Sequence, residues 1–224
     1  MDMTPSEVER RTLSHGLEDE LRRLVVRGAL PAGARVNEVH LARDLAVSRT
    51  PLREALTRLA GEAFLDARPH LGFYVRPLSA AEVLELYPIR ARLDPWALEL
   101  AGVPDRGTLA ALDATNTEIR DAAGDPERVI ELDDAWHLQL VAGCGNGALL
   151  GLIRQMMWRT RRYEHAYFRA TRSVGTAYET HRKILAALRR KDLAAACRLL
   201  AVNMTSGIAD LVRWLGGDAA GADA

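Results

Sequence analysis

The sequence predicts a mainly α-helical protein in which a small β-hairpin separates a short N-terminal helical part from a longer C-terminal one. Apolar residues recur at spacings of three and four along most of the chain, which is the pattern of amphipathic helices. Residues 64–66 and 73–76 form two short β-like runs on either side of a turn that contains His70 and Gly72. We therefore expect helices on both sides of a single hairpin.

The N-terminal part, residues 1–77, is predicted to contain three helices followed by this hairpin. The helices are expected over residues 6–26, 37–46 and from residue 51 onward. Asn37 is a candidate N-cap of the second helix. Thr50 is the expected N-cap of the third, because Pro51 then takes the first helical position, where its missing N–H costs nothing. Three helices and a hairpin in this order predict a winged helix-turn-helix domain.

The third predicted helix combines an apolar stripe with a basic face. The stripe consists of Leu52, Ala55, Leu56 and Leu59. Arg49 and Arg53 lie four residues apart, so they share one face near the start of the helix. An arginine there can donate two hydrogen bonds to a guanine edge, and the hydroxyls of Ser48 and Thr50 can bond phosphate. These features predict a helix that binds in the major groove of DNA.

The C-terminal part, residues 78–224, is predicted to be an all-α antiparallel bundle. Six helices are expected near residues 80–101, 106–122, 126–142, 148–169, 174–190 and 193–215. The connections between them are short, which favours antiparallel neighbours.

One cluster of potential metal ligands is suggested by spacing alone. Asp133 and His137 lie four residues apart and project from one helix face, and His181 lies on a later helix. A carboxylate and two imidazoles can share a metal ion. An Asp–His pair at this spacing is also common as a simple hydrogen bond, so both interpretations stay open at this point.

The composition is that of an ordinary soluble globular protein, with 48% hydrophobic and 27% charged residues. The formal net charge of zero does not exclude nucleic acid as a partner, because local charge decides binding. Two cysteines and an N-terminus without an apolar signal segment indicate a reducing compartment. No run approaches about 18 apolar residues, so we expect a cytoplasmic protein without a membrane span.

Residues 21–78 resemble the winged-helix domain of the GntR family of bacterial transcription regulators. The matching segments are LPAGARVNE, LARDLAVSRTPLREALTRL and ARPHLGFYV. The remaining chain is similar to the FadR-type branch of this family, whose effector domain is an all-α bundle called FCD. The resemblance implies DNA contacts from Ser48, Arg49, Thr50, Arg53, His70 and Gly72.

Three positions in the N-terminal part depart from the family pattern. Leu71 stands where many members carry a basic residue, and the neighbouring His70 is the candidate to replace that function. Ala63 stands where a glycine is usual, and Val39 where some relatives carry an arginine. Contacts from the recognition helix are therefore better supported than contacts from the wing.

The resemblance also implies a metal site. FCD domains often bind a divalent ion, such as zinc or nickel, through one aspartate and three histidines. Asp133, His137 and His181 fall on three of these positions, and Asn203 falls on the fourth. Because an asparagine carbonyl is a weak ligand for zinc or nickel, three possibilities remain open: loose coordination by Asn203, a water in its place, or a metal-free site that binds an organic effector directly.

Arg90 matches an arginine that points into the effector cavity of FCD domains. There it would neutralise a carboxylate of the effector, and its fork-shaped guanidinium would supply selectivity. Arg92 and Asp94 are expected to form surface or interhelical pairs.

The function predicted first is a ligand-responsive transcriptional repressor. It would bind an operator as a homodimer and respond to a small carboxylate effector. A metal-sensing repressor without an organic effector is the first alternative. A metal-dependent hydrolase or lyase is the second alternative. Against it, the sequence contains no nucleophile motif and no evident pair of a general acid and a general base. We therefore expect that the protein is not an enzyme.

Overall fold

The structure, a computed structural model, describes residues 5–171 and 177–218, with side chains over 16–171 and 177–216. The described residues form ten α-helices and one two-stranded sheet. The chain divides between Leu78 and Ser79 into two compact units, called unit 1 and unit 2 below. The sequence places this division one residue earlier. The mainly α-helical fold class is confirmed.

Unit 1 is a winged helix-turn-helix. Its elements are α1 (Pro5–Val26), α2 (Glu38–Asp44), α3 (Arg49–Gly61), β1 (Leu65–Arg68) and β2 (Gly72–Val75). β1 and β2 pair in antiparallel register, with Leu65 opposite Val75. The residues of the predicted stripe on α3 are all fully buried, which anchors this helix in the core and turns its basic face outward.

The caps of α2 and α3 explain where these helices begin. Asn37 is the N-cap of α2, and its side chain accepts hydrogen bonds from the backbone N–H groups of Val39 and His40. Ser48 is the N-cap of α3, so the expectation of Thr50 at this position is wrong. The helix begins at Arg49, two residues earlier than expected. Pro51 is still in the first turn, where backbone N–H groups have no intrahelical partner, so the helix tolerates it.

Unit 2 is all-helical. Its helices are α4 (Ala80–Ala101), α5 (Arg106–Asp121), α6 (Pro126–Leu140), α7 (Gly147–Thr171), α8 (Ala177–Arg189), α9 (Leu193–Thr205) and α10 (Ile208–Asp218). The predicted bounds of α4 are confirmed. Residues 174–176, which were predicted to begin the helix at α8, lie outside the described residues.

The prediction of one helix over residues 193–215 is wrong. The chain leaves the α9 helix at Ser206, whose backbone N–H and hydroxyl both donate to the carbonyl of Asn203. Gly207 follows and α10 then begins at Ile208. Serine and glycine are poor helix formers, and together they outweigh the apolar spacing that continues across the break.

The segment Leu193–Gly216 is long and apolar enough to meet the length and hydropathy criteria for a membrane span. The segment contains the break between α9 and α10. The apolar residues Ala196, Leu200 and Met204 of α9 belong to the buried core of unit 2. Composition alone is therefore weak evidence for a membrane span.

Candidate functional site

The DNA-binding residues predicted in unit 1 lie at the exposed start of α3. Ser48, Arg49, Thr50 and Arg53 are all exposed. The hydroxyl of Ser48 makes no capping hydrogen bond and is open to solvent. The first turn of α3 therefore presents two guanidinium groups, two hydroxyl groups and the unpaired N–H groups of a helix N-terminus on one surface.

Glu38 contacts this surface and was missed by sequence reasoning. Its Oε2 lies 3.5 Å from Nη1 of Arg53, and its side chain is largely buried. A Cβ atom placed on Gly72 would lie 3.5 Å from Oε1 of the same carboxylate. Glu38 therefore lies between the recognition helix and the wing, and it restrains Arg53, whose own side chain is 62% exposed.

The tip of the hairpin carries His70, Leu71 and Gly72. His70 and Gly72 have left-handed φ angles of 61° and 92°, which glycine adopts freely and which other residues adopt mainly in turns. Leu71 is 51% exposed at the position between them. Arg68, also missed by sequence reasoning, lies at the end of β1 with its guanidinium 4.0 Å from the centroid of the Tyr74 ring.

In unit 2, Asp133, His137 and His181 converge. Their ligand atoms all lie within 4.8 Å of one another. Nε2 of His137 lies 3.3 Å from Nε2 of His181, and the two carboxylate oxygens of Asp133 lie 3.6 and 3.5 Å from these nitrogens. Ligands at a distance of about 2.0–2.1 Å around one tetrahedral zinc ion are separated by roughly 3.4 Å. The three side chains are therefore spaced as ligands of one ion.

The environment of His181 determines which of its nitrogens faces this centre. Nδ1 of His181 lies 3.1 Å from Oδ1 of Asn116, and Nδ2 of Asn116 donates to the carbonyl of Tyr178 at 3.1 Å. Because the asparagine nitrogen is already the donor, its oxygen must accept, and Nδ1 of His181 carries the proton. Trp136 stacks on the imidazole at 3.7 Å between centroids. The lone pair of Nε2 is thus left for a metal.

The protonation of the three side chains is set mainly by burial. Burial lowers the pKa of His181 to about 3 and, with the neighbouring His181, lowers the pKa of His137 well below its usual range. Burial and the charge of Glu164 raise the pKa of Asp133 to about 7. The imidazoles are therefore neutral, as ligands must be, and Asp133 needs a nearby cation to stay ionised at neutral pH.

These side chains open onto a cavity of about 190 Å³. Arg90, Asp133, His137 and Asn203 all line it, whereas His181 reaches Asp133 and His137 from behind. Oδ1 of Asn203 is buried and has no hydrogen-bond partner among the described residues. The cavity thus brings together three of the four predicted ligand positions with the predicted effector-binding arginine.

Arg90 is already paired within its own helix. Its Nη2 donates to Oδ1 of Asp94 at 2.9 Å, and both side chains are almost fully buried. The expectation that Asp94 forms a surface or interhelical pair is therefore wrong. Burial lowers the pKa of Arg90, but the charge and hydrogen bond of Asp94 outweigh that effect and leave the pKa raised. Nε of Arg90 is buried and has no partner in the part of the chain that the structure describes.

The cavity also contains residues that sequence reasoning did not single out. Glu164 of α7 lines it together with Tyr87. The hydroxyl of Tyr87 is buried and has no hydrogen-bond partner within residues 5–171 and 177–218. Burial and the charge of Glu164 raise the pKa of Tyr87 well above its usual value. The sequence could have identified Tyr87 by its position, because it lies about one helical turn before Arg90.

The donors present fit a divalent metal. One carboxylate and two neutral imidazoles form a common zinc donor set. The unpartnered Oδ1 of Asn203, at the same cavity, is a further oxygen donor. One feature of the site is incomplete, since Nδ1 of His137 is buried without a hydrogen-bond partner among the described side chains.

Two protein families match the chain. Residues 13–75 match the family described as bacterial regulatory proteins, gntR family. Residues 85–205, more than half of the chain, match the FCD domain. The two matches fall on unit 1 and unit 2 respectively.

Individual relatives are similar over most of the chain. The Nta operon transcriptional regulator of Aminobacter aminovorans is 35% identical over 145 residues, which are 59% of this chain and 69% of the relative. The probable D-xylose utilization operon transcriptional repressor of Paenarthrobacter nicotinovorans is 29% identical over 198 residues, 86% of this chain and 85% of the relative. The structure of E. coli McbR/YncC superposes with a TM-score of 0.77 at 28% identity, covering 90% of this chain and 98% of that one.

Proposed function

Because the chain belongs to the GntR family of bacterial regulatory proteins and carries an FCD domain, we propose that it is a homodimeric repressor controlled by a small carboxylate effector. The matched families and relatives are DNA-binding transcriptional regulators and not enzymes. The observation that supports an effector is the cavity in unit 2, which Arg90 lines together with Asp133 and His137.

DNA recognition is assigned to the start of α3 and the hairpin tip. Arg49 and Arg53 would contact base edges in the major groove, since arginine pairs bidentately with guanine. Ser48 and Thr50 would bond phosphate and set the register of the helix. His70 and Gly72 would bring the hairpin against the DNA backbone. In support, all four α3 residues are exposed, and Glu38 restrains Arg53 without covering it.

The metal site is assigned to Asp133, His137 and His181, with Asn203 or a water in the remaining position. A bound zinc or nickel ion would supply a positive charge that attracts a carboxylate. Arg90 would be the second point of attachment for the same carboxylate, through Nε, because Nη2 donates to Asp94 and Nη1 to Thr160. Both attachments need a ligand small enough for the cavity, which is smaller than the roughly 300–1,000 Å³ typical of drug-sized sites.

Dimerisation is supported by an apolar stripe on α4. Its exposed members recur at spacings of seven and four residues, at Ile89, Trp96 and Leu100, and Val103 is exposed just beyond the end of the helix. Large apolar side chains that line up on one exposed helix face mark an interaction surface. A second copy of the chain would bury this stripe on a twofold axis and pair two DNA-binding units for a near-palindromic operator in the cytoplasm.

A metal-sensing repressor is the second candidate function. It would need a site filled by protein ligands with little space beside it. The cavity of about 190 Å³ and the unpartnered groups of Tyr87 and Arg90 favour an organic ligand instead. A hydrolase or lyase function does not fit the family, whose members are transcriptional regulators.

The DNA half is tested by anisotropy titration of the full chain on duplexes from the regions upstream of its own and adjoining operons. Arg53→Ala should lower affinity for the selected duplex by about 1–3 kcal/mol and leave affinity for unrelated DNA nearly unchanged. Arg23→Ala, which removes an exposed arginine paired with Glu20 on α1, is the matched control. Selectivity that survives Arg53→Ala would contradict the assignment of α3.

The metal half is tested by elemental analysis of purified protein and by zinc titration after chelation. His137→Ala and His181→Ala should each abolish stoichiometric binding. His40→Ala, which alters an exposed histidine of α2, should not. Unchanged metal content in the His137 variant would remove this residue from the site.

A further inference from the structure

The cations beside the cavity of unit 2 are already matched by acids. Arg90 is paired with Asp94 at 2.9 Å inside the protein. Arg161, which acts through space on the carboxylates of the cavity, is paired with Asp134. Each guanidinium therefore already has an anionic partner, although both still act on the cavity carboxylates from a distance.

Two carboxylates face the cavity without such a partner. Asp133 contacts the neutral imidazoles of His137 and His181. Neither Asp133 nor Glu164 forms a salt bridge with an arginine or lysine within the described part of the chain. A third acid, Asp210, lines the cavity but is exposed and paired with Arg213 at 2.9 Å. One divalent ion on Asp133, His137 and His181 accounts for Asp133. Glu164 is then left as an acidic group that the metal site does not explain.

The surroundings of Glu164 are those of a ligand-binding group. It lies on α7, where it lines the cavity with the aromatic residues Tyr167 and Phe168. The buried hydroxyl of Tyr87 lies close enough to Glu164 for the two groups to shift each other's pKa. Burial raises the pKa of Glu164, although Arg90 and Arg161 act against that effect from a distance. A carboxylate without a salt bridge in such a position is stabilised by a cationic ligand group that donates hydrogen bonds to it.

We propose that the effector is a small amino acid whose ammonium group binds Glu164, while its carboxylate faces the metal site and Arg90. This inference rests on the proposed function, since it names the effector class for the same cavity. The apolar part of the lining, Val129, Ile130, Met204 and Leu211, receives the remaining carbon atoms of the ligand.

The charge on the ligand decides the selectivity. An ammonium group donates charge-assisted hydrogen bonds to Glu164, which are roughly twice as strong as neutral ones. A hydroxyl group at the same carbon donates one neutral hydrogen bond. A hydrogen atom at that carbon donates no hydrogen bond. The negative charges of the ligand carboxylate and of Glu164 then repel each other, with no cation between them.

The test is calorimetric titration of the zinc-loaded full-length protein with matched acids that differ only at C2. The three sets are propionate, lactate and alanine; succinate, malate and aspartate; and glutarate, 2-hydroxyglutarate and glutamate. In at least one set the amino acid should bind ten times more tightly than the other two members. Glu164→Gln should reduce that preference to within twofold, and Glu85→Gln, an exposed position on α4, should preserve it.

The other outcomes overturn the inference in distinguishable ways. Tight binding of an unsubstituted or hydroxy acid with no preference for the amino acid contradicts the role of Glu164 and leaves the proposed function intact. No binding by any of the nine compounds contradicts the carboxylate effector itself. Zinc stoichiometry and circular dichroism show whether Glu164→Gln is folded. If this variant does not fold, the preference of the wild-type protein for the amino acid over the other two members of its set still tests the proposal.

Discussion

Asn116 accepts a hydrogen bond from His181 at 3.1 Å and thereby fixes which imidazole nitrogen faces Asp133 and His137. Asn116→Leu removes this acceptor and lets the ring change tautomer. Loss of a partner that orients a metal-binding histidine commonly lowers metal affinity by roughly 10–100-fold. Zinc competition titration measures the effect, with Thr115→Val at the preceding, half-buried position as the control. Equal zinc affinity in both variants would show that Trp136 and packing alone orient the ring.

The buried pair of Arg90 and Asp94 predicts opposite effects on stability and on anion binding. Asp94→Asn leaves the guanidinium without its counter-ion, and breaking a buried pair from one side costs about 3–5 kcal/mol. The freed charge attracts a carboxylate more strongly, so succinate should raise the melting temperature of the variant more than that of the wild type. Asp113→Asn, at an exposed pair with Arg189, controls for loss of charge. An unchanged melting temperature would contradict the role given to Asp94.

Leu71 at the hairpin tip predicts a weak electrostatic contribution from the wing. Leu71→Arg adds a cation at an exposed position next to His70. If the tip lies against phosphate, each added contact makes the slope of log K against log salt more negative by about 0.9. Anisotropy titrations at several salt concentrations measure this slope. An unchanged slope would place the hairpin tip away from the DNA backbone.

The strained backbone at Ala63 predicts that a glycine stabilises unit 1. Ala63 has a φ of 63°, and this left-handed conformation costs a residue with a Cβ about 1–2 kcal/mol. Allowing for the greater freedom of glycine in the unfolded chain, Ala63→Gly should gain roughly 0.5–1 kcal/mol. The same change at Ala60, inside α3, should lose about 1 kcal/mol. Calorimetric melting of both variants tests the difference in sign.

Asp133 and the two histidines predict how the metal-free protein responds to acid. Below about pH 6.5 the unfolded chain protonates His137 and His181 while the folded chain does not, so stability falls as the pH falls. Asp133 acts the other way between its ordinary pKa of 3.8 and about 7, because only the folded chain keeps that proton. Asp133→Asn removes the contribution that opposes the histidines. The free energy of unfolding of this variant should therefore fall more steeply as the pH is lowered, by about 1.4 kcal/mol more per pH unit.

Urea unfolding followed by tryptophan fluorescence measures this slope. All four tryptophans lie in unit 2, so the signal reports that unit alone. Asp113→Asn again provides the control, because its carboxylate is exposed. A parallel decline of stability in wild type and Asp133→Asn would show that Asp133 titrates normally.

The sequence was sufficient for the elements whose patterns are local. The stripe on α3 and the bounds of α4 follow from apolar spacing, and the spacing of Asp133 and His137 places both on one face of α6. The break at Ser206 was missed because apolar spacing continues into α10, and that spacing outweighed the serine and glycine signal.

Polar residues that are buried between helices were the main omission. Asp94 was expected to form a surface or interhelical pair, although it lies one turn after Arg90 on the same helix. Asn116 lies between Leu112 and Ile119 on the buried stripe of α5, and a polar residue on such a stripe is the signal that would have identified it. Which partner it meets across helices depends on packing, which helix periodicity does not specify.

The central claim is that ligand in the cavity of unit 2 changes the affinity of unit 1 for an operator. The most direct measurement is anisotropy titration of the selected duplex at fixed salt, with zinc-loaded protein, in the presence and absence of the acid that calorimetry finds to bind. This acid should weaken operator binding at least tenfold, and Arg90→Ala, once circular dichroism shows that it is folded at the temperature used, should abolish the response while retaining DNA affinity. Operator affinity that is identical with and without a bound acid would contradict this claim.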